Sequence, residues 1–533
     1  MPRPTAADLA SAQVVWILTI EWRGREYRRS TIPIEITDAD GVTHAYQGGL
    51  GDISGLEESL SSASVNGGSV PLEIDFEEDL ITVYADGYRL SSATGSLDMV
   101  TTRDRATSVQ TWEGRYRYLT GRVVLPRISA RGDRPGLASF SLEQSITQDR
   151  GRILPASAVI TGVTYPNAPE KSVGKVYPLV MGRQGSYPSG GVTFDTLGSP
   201  AYVVEETGSN ADTLHLGYGH WTATQAKIIA DSTKTSALTL IKTHDATGQA
   251  VTEVDISGQS SAIRTASAYY SSISSGEGYR LPFSGTDHRG AGDWIRFMLS
   301  RSTLTIDNDA WSAVTPALNG YKIASFINDP DVTPSEWLID NVLGLFPLDV
   351  LMGPEGLTPV LDELEVPPIG ARPINESADF RRVGPLQERT DPADLVESYT
   401  LRFAKNVGAN DFKLQITIAA DPAPGGRRSL STLNAKQSGA LASMVEETDV
   451  LSDPGSGDGL ARYRAKKLSQ QPVWDLFSAV NHYGNISVGD HVSLTWGEKG
   501  IADVVFRVEG KRRVRGRWVF LAMFPYGLRG LVR

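Results

Sequence analysis

The last hundred residues carry the pattern that most narrows the fold. Asn481-His-Tyr-Gly-Asn-Ile-Ser-Val-Gly-Asp490 leads straight into an alternating run at 491–496. A Gly-Asp turn placed directly before such a run marks a strand that buries every second side chain. A second alternating run at 504–509 follows, and a segment at 511–524 pairs with it through a turn full of Arg and Gly. Runs of this kind build a small closed β-domain.

The N-terminal part has the same rhythm. Residues 14–22 alternate and pass through Arg23-Gly24-Arg25-Glu26 into 27–31, a hairpin pattern. Further strands are expected at 32–37, 72–76, 85–90, 96–102, 115–126 and 137–145, separated by turns such as Asp38-Ala-Asp-Gly41 and Asn66-Gly-Gly68. Short strands at this spacing, with no long helical period between them, form a barrel or sandwich. Arg131-Gly132-Asp133 sits in a Gly/Pro-rich stretch and reads as turn chemistry rather than as an integrin ligand.

Rhythm changes twice in the middle. Residues 186–279 shift to Ser, Thr, Gly and Ala, with β-type segments at 202–205, 226–229 and 237–241. Helical period appears after Gly290: Trp294, Phe297 and Met298 share one face, and Thr333-Pro334-Ser335-Glu336 spells a capping box with Pro at the first helical position. A further helix is expected to start at Asp391-Pro-Ala-Asp394, to bury Leu395, Tyr399, Leu401 and Phe403, and to stop at Gly408. Residues 455–459 read as a flexible loop before a helix of about ten residues over 460–470. The expected division is therefore residues 1–150, an N-terminal β-barrel domain; 151–185, an extended connector; 186–285, a Ser/Thr/Gly-rich β insertion; 286–425, an α+β domain; and 426–533, a helix plus a small β-barrel.

Composition agrees with a mainly β, multidomain protein. Gly 53 and Pro 29 together make 82 of 533 residues, about 15% against a usual sum of roughly 12%. With 40% hydrophobic and 21% charged residues the chain is globular. It has no Cys, which removes disulfides, Cys-ligated zinc and thiol chemistry. The start lacks a secretory pattern and no apolar run reaches bilayer-spanning length, so a soluble chain folded in a reducing cytosol, with no membrane segment, is expected. A net charge of −11 argues against wrapping duplex DNA over a broad surface. One local exception stands out: residues 511–533 hold seven basic residues and no acid. Lys511, Arg512, Arg513, Arg515 and Arg517 are the candidate partner-contact residues. Such a cluster fits an acidic protein neighbour or nucleic acid, and it also fits a solvated hairpin loop.

Catalytic patterns are missing from the sequence. There is no G-x-S-x-G elbow, P-loop, H-E-x-x-H or strand-linked G-x-G-x-x-G. His215 and His220 are five residues apart on a strand pattern, which points them to opposite faces as surface histidines. The loop with Asp449, Asp453 and Asp458 lacks calcium-loop spacing. Acid pairs such as Glu57-Glu58, Glu77-Glu78 and Glu446-Glu447 define no glycosidase pair without a separation in space. No catalytic, cofactor-binding or metal-ligating residue and no cofactor is assigned, and the expectation is a non-enzyme.

The succession of parts resembles a known family. Gly174-Lys-Val-Tyr-Pro-Leu-Val-Met-Gly182 follows the β-rich start, Asp293-Trp-Ile-Arg-Phe-Met-Leu-Ser300 comes next, then Asp391-Pro-Ala-Asp-Leu-Val-Glu-Ser-Tyr399 with Phe412-Lys-Leu-Gln-Ile-Thr417, and finally Ile486-Ser-Val-Gly-Asp-His-Val-Ser-Leu-Thr495. This order is similar to the central tail hub, or baseplate hub, of tailed bacteriophages and gene transfer agents, over most of the chain except residues 186–285. The resemblance implies hub-type, tail-tube-like β-barrels with interspersed α+β segments. It also implies a homotrimer at the tip of the tail tube, with tail-tube and distal tail proteins on one side, fibre or spike proteins on the other, and DNA passing through its channel. The corresponding location is the virion tail tip or baseplate after synthesis in the host cytoplasm. A carbohydrate- or receptor-binding tail protein is the alternative reading, favoured by 10 Trp, 19 Tyr and the Ser/Thr/Gly-rich middle; a surface glycan hydrolase is a third. Trp16, Trp22, Trp294, Trp337 and Trp518 lie inside apolar rhythm and are expected to be buried, which counts against sugar stacking.

Overall fold

The computed structural model describes residues 13–22, 24–37, 41–51, 53, 57–59, 66–76, 89–102, 109–111, 115–131, 134–189, 192–195, 198–282, 289–353, 355–362, 372–375, 387–388, 396–419, 442–469, 474–478, 486, 488–496, 501–514 and 518–525. The protein is mainly β and built from several sheets, as its sequence predicts. In the first part the strands are β1 (Gln13–Trp22), β2 (Arg25–Ser30), β3 (Ile34–Thr37), β4 (Thr43–Tyr46), β5 (Glu57–Ser59), β6 (Asn66–Phe76), β7 (Thr94–Thr102), β8 (Val109–Thr111), β9 (Arg115–Arg131) and β10 (Arg134–Ser145). Six of them make an antiparallel sheet in the order β2-β1-β7-β9-β10-β6, and β4-β3-β8 make a smaller one. The alternation on β1 explains the layering. Trp16, Leu18, Ile20 and Trp22 point into a core with Leu72, Leu97, Leu119 and Phe140, while Val15 and Ile17 face a second core with Ile34, Ile36 and Val100. The strand expected over 85–90 lies outside the described residues except at its end, where Leu90 enters a short 3-10 turn.

Residues 198–282 contain a separate eight-stranded path with its own core, including Val203, Leu214, Leu216, Ile228, Val254 and Ile273. The segments predicted at 202–205 and 226–229 fall in its strands Ser199–Thr207 and Gln225–Ala230. The chain enters and leaves this unit at one point. Gly278 N donates to Gly182 O at 2.7 Å, and Tyr279 N donates to Val180 O at 2.7 Å. A Cβ on Gly278 would lie 2.2 Å from Val180 O, so only glycine lets the two segments approach this closely.

The largest core gathers the helices Ala291–Leu299, Asn308–Leu318, Pro334–Asn341 and Pro454–Ser469. Trp294, Phe297 and Met298 are buried on one face as their period predicts, and the capping box of Thr333 and Glu336 is formed. Two expectations are corrected here. The helix expected over 391–408 is a strand, Val396–Asn406, where described. Tyr399, Leu401 and Phe403 are buried at a spacing of two, and the strand pairs antiparallel with Asp411–Ala419 and parallel with Ala442–Glu447. The supposed flexible loop 455–459 is the first turn and a half of the helix Pro454–Ser469. Asp453 Oδ2 accepts from Ser456 N at 2.7 Å and from Ser456 Oγ at 2.8 Å, capping that end. Gly457 is required by packing, because a Cβ there would lie 2.5 Å from the Phe403 ring.

The C-terminal sheet runs in the order Arg372–Asn375, His491–Trp496, Ile501–Val514, Trp518–Pro525, Trp474–Ser478 and Gln387–Glu388. The run predicted at 504–509 and the first residues of the segment predicted at 511–524 are one continuous strand of 14 residues, Ile501–Val514, so the hairpin partner is Trp518–Pro525 rather than the whole of 511–524. Along one edge of that strand, His491–Trp496 pairs with residues 501–507; β5 from the N-terminal part takes over at 510–512. The two ends of the sequence therefore share a sheet.

Candidate functional site

The predicted partner-contact residues begin on this shared strand. Lys511, Arg512 and Arg513 stand opposite Leu521, Phe520 and Val519 in the ladder on one side. On the other side the register sets Glu58 opposite Lys511 and Glu57 opposite Arg512. The acidic pair Glu57-Glu58 therefore lies in register with the start of the basic run. Arg515 and Arg517 lie outside the described residues.

Four residues before Lys511, the same strand carries a buried charge cluster. Arg507 is only 2% exposed at its side chain. Its Nη2 lies 2.9 Å from Asp349 Oδ2, its Nη1 3.1 Å from Asp362 Oδ1, and its Nε donates to Glu509 Oε1 at 2.6 Å. The contact with Asp362 is ionic in distance but lacks hydrogen-bond alignment. Lys467 Nζ reaches Asp362 Oδ2 at 2.8 Å, and the Tyr463 hydroxyl donates to the same oxygen at 2.8 Å. Asp349 and Asp362 come from the hairpin region Leu348–Leu361 and its end, and Lys467 and Tyr463 from the helix Pro454–Ser469. The cluster thus ties the C-terminal sheet to the helical body. Burial raises the Glu509 carboxyl and Arg507 opposes that rise. For Asp362 burial also pushes upward, but Arg507 and Lys467 outweigh it and hold the carboxyl below its ordinary value.

A second buried polar group joins the segment before residue 182 to the eight-stranded unit. The Tyr165 hydroxyl donates to Glu253 Oε1 at 2.5 Å, which leaves its oxygen to accept from His215 Nδ1 at 3.1 Å. The Tyr177 hydroxyl donates to Asp245 Oδ2 at 2.8 Å, with its ring 4.3 Å from that of His215. His215 is fully buried, a correction to the surface position expected, and burial pushes its imidazole down to about 3. His220 is half-buried and binds Thr243 O at 2.9 Å. Sequence spacing alone could not find this group, because Tyr165 and Glu253 are 88 positions apart.

On the N-terminal sheet, beyond the second small core, Thr19 and Glu21 of β1 line an open cleft of about 340 Å³ with Glu26, Arg28, His44 and Arg117. Arg28 pairs with Glu26, and Arg117 pairs with the buried Asp98. The cleft offers both signs of charge. Among the described residues, no three His, Asp or Glu side chains converge to hold a metal ion, and no helix is long and apolar enough to cross a membrane. Trp16, Trp22, Trp294 and Trp337 are buried in cores and present no stacking face. The chemistry on view is that of interlocking: buried ion pairs and hydrogen bonds that hold modules together.

No protein-family profile matches the sequence, and no curated protein does either. Similar solved structures include the tail protein from Neisseria meningitidis MC58 (TM-score 0.37, 11% identity, covering 96% of each chain). They also include the 43 kDa tail protein of prophage MuSo2 from Shewanella oneidensis (TM-score 0.36, 8% identity, 95% of this chain and 98% of that one). A third is the prophage tail protein gp18 from Listeria monocytogenes EGD-e (TM-score 0.31, 9% identity, 97% of this chain and 96% of that one). At these TM-scores the likeness does not fix the arrangement of the modules.

Proposed function

We propose that the chain is a structural protein of a phage or gene-transfer-agent tail, acting as a trimeric hub at the tail tip. It would join the tail tube to fibre or spike proteins and line part of the DNA channel. The observation that carries this reading is a strand shared across the chain: β5 from the N-terminal part adds to the C-terminal sheet, so that two β-bodies stand fastened in one subunit. Three such subunits offer six β-bodies to a sixfold tube, the arrangement the sequence resemblance implies. The net charge of −11 suits a channel that passes DNA without trapping it. Mass measurement of the purified protein, alone and mixed with a tail-tube protein, tests the reading; a trimer or a ring on the tube is expected, and a chain that stays monomeric in both samples refutes it.

Within this reading the basic run at 511–517 meets an acidic partner protein. Replacing Arg512, Arg513, Arg515 and Arg517 with Ser is expected to weaken assembly at low salt and to matter less as screening shortens toward about 8 Å at physiological ionic strength. Equal assembly of both proteins at every salt concentration removes these residues from the interface, and duplex-DNA binding lost in the variant assigns them to nucleic acid instead.

A further inference from the structure

Along β1 the face that meets the small sheet changes character halfway. Val15 and Ile17 pack with Ile34, Ile36 and Val100, but the next two residues at the same spacing are Thr19 and Glu21. The neighbouring strands change at the same level. Across β2-β1-β7-β9 the register sets Arg28, Thr19, Ser96 and Thr120 side by side, so a guanidinium and three hydroxyls form one row at strand spacings of about 4.8 Å. Toward the small sheet the Tyr46 hydroxyl lies 3.4 Å from Thr19 Oγ1. Away from it, Glu21 stands directly opposite Glu26. Like charges opposed across a ladder are unfavourable, and Glu26 is the acid that Arg28 neutralises, so Glu21 is held in the cleft at a cost.

Arg117 reaches the same cleft through an irregularity. In the β7–β9 ladder Leu97 pairs with Leu119 and Asp98 with Arg117, so Tyr118 is an extra residue with no partner on β7. An unbroken register would set Arg117 on the face of Leu119, toward the larger core; the bulge turns it to the face of Thr120. There its Nε donates to Asp98, whose side chain is 0% exposed, and its Nη1 donates to Thr120 Oγ1 at 3.3 Å. A carboxylate buried beneath the guanidinium fixes its direction, and the rest of Arg117, 33% exposed, faces the cleft. A bulge and a buried acid thus serve to aim one arginine into open space.

The lining decides what can bind. Among the described lining residues none is aliphatic, which excludes an apolar ligand. Arg28 and Arg117 oppose a cation, Glu21 and Glu26 oppose an anion, and the hydroxyls between them both donate and accept. A neutral ligand with closely spaced hydroxyls satisfies all of them, donating to the carboxylates and accepting from the guanidiniums. We propose that this cleft binds a neutral saccharide, one pyranose ring lying over the Thr19–Ser96–Thr120 row between Glu21 and Arg117. Its volume of about 340 Å³ lies in the range of small-molecule sites. No tryptophan lines it, so recognition rests on hydrogen bonds rather than stacking. The site lies within one subunit and does not depend on the hub reading.

The probes are the methyl glycosides of glucose, galactose, mannose and N-acetylglucosamine, each titrated into the full chain and followed by saturation-transfer NMR. At least one is expected to bind saturably with a Kd of about 1 mM or lower. Glu21→Gln, which removes a charged acceptor, is expected to weaken that binding at least about tenfold, and Ser96→Ala about fivefold. Glu21→Gln is also expected to melt at or above the wild-type temperature, because it lifts the opposition to Glu26; lost binding is then separate from lost folding. If no glycoside binds, or if both variants bind as tightly as the wild type, the cleft is not a saccharide site. Sulfate or ethylammonium bound more tightly than every glycoside, and released by Glu21→Gln or Ser96→Ala, would overturn the proposal equally, since one sign of charge would then govern the cleft.

Discussion

Replacing Arg507 with Met keeps most of the buried stem and removes the charge. The cluster has two cations, Arg507 and Lys467, and three carboxylates, Asp349, Asp362 and Glu509, a formal sum of −1 that becomes −2 in the variant. At an effective dielectric constant near 20, unit charges roughly 4 Å apart interact by about 4 kcal/mol, so three contacts represent about 12 kcal/mol gross. Most of this is offset by the desolvation of Arg507 itself, and the variant can relieve strain by protonating Glu509, whose carboxyl burial already raises. The expected net loss is therefore about 3–5 kcal/mol, the usual cost of removing one member of a buried pair. That is a large share of a domain stability of roughly 5–15 kcal/mol. Denaturant unfolding followed by tryptophan fluorescence is the assay. R507M combined with D349N is expected to recover at least about 1 kcal/mol of the sum of the single losses, since the two residues are in contact. A loss below about 1 kcal/mol for R507M, or strict additivity in the double variant, would show that the cluster does not hold the C-terminal sheet to the body.

Two further outcomes follow from the eight-stranded unit. Because burial pushes His215 down to about 3 from 6.5, the unfolded chain takes up its proton first; stability is full above pH 6.5 and falls as pH drops toward 3, at up to about 1.4 kcal/mol per pH unit. His215→Gln should flatten thermal melting over that window, and an unchanged slope would show that His215 does not set it. Replacing residues 185–276 with a short Gly-Ser bridge, together with Tyr165→Phe and Tyr177→Phe to remove the hydroxyls that would lose Glu253 and Asp245, should leave a folded remainder, since Gly182 and Gly278 already meet; an insoluble or molten product in circular dichroism would assign that unit to the common core.

The local elements of the fold were largely legible, because period and capping act over a few residues. The 294/297/298 stripe, the Thr333 cap and the 491–496 alternation each follow from neighbours in sequence. The strand Val396–Asn406 was misread because Asp391-Pro-Ala-Asp394 imitates a helix start, and that signal outweighed the two-residue spacing of Tyr399, Leu401 and Phe403. Gly455, Gly457 and Gly459 read as a flexible loop, yet Gly457 is small so that a helix can lie against Phe403, a residue 54 positions earlier. The Arg507 cluster, the burial of His215 and the strand partner of Lys511 depend on contacts between distant segments, and no local pattern encodes them. The bulge in β9, where Leu125 and Pro126 together oppose Phe140, was equally hidden, since the strand expected over 115–126 runs through Val124 and Leu125 and stops at the proline.

The pairing of β5 with residues 510–512 also sets a schedule for synthesis. Glu57 leaves the ribosome some 455 residues before Arg512, which at roughly 5–20 residues per second is a delay of about 20–90 s. During that interval a short strand has no partner, and exposed strands recruit other chains. Two consecutive glutamates on a three-residue strand are poor bait for such recruitment, and the lysine and arginine that arrive last are the residues that match them. The N-terminal domain can therefore form early, but the molecule is not locked until its final strands are made, so a chain truncated before residue 510 would carry an orphaned acidic strand and an unclosed end.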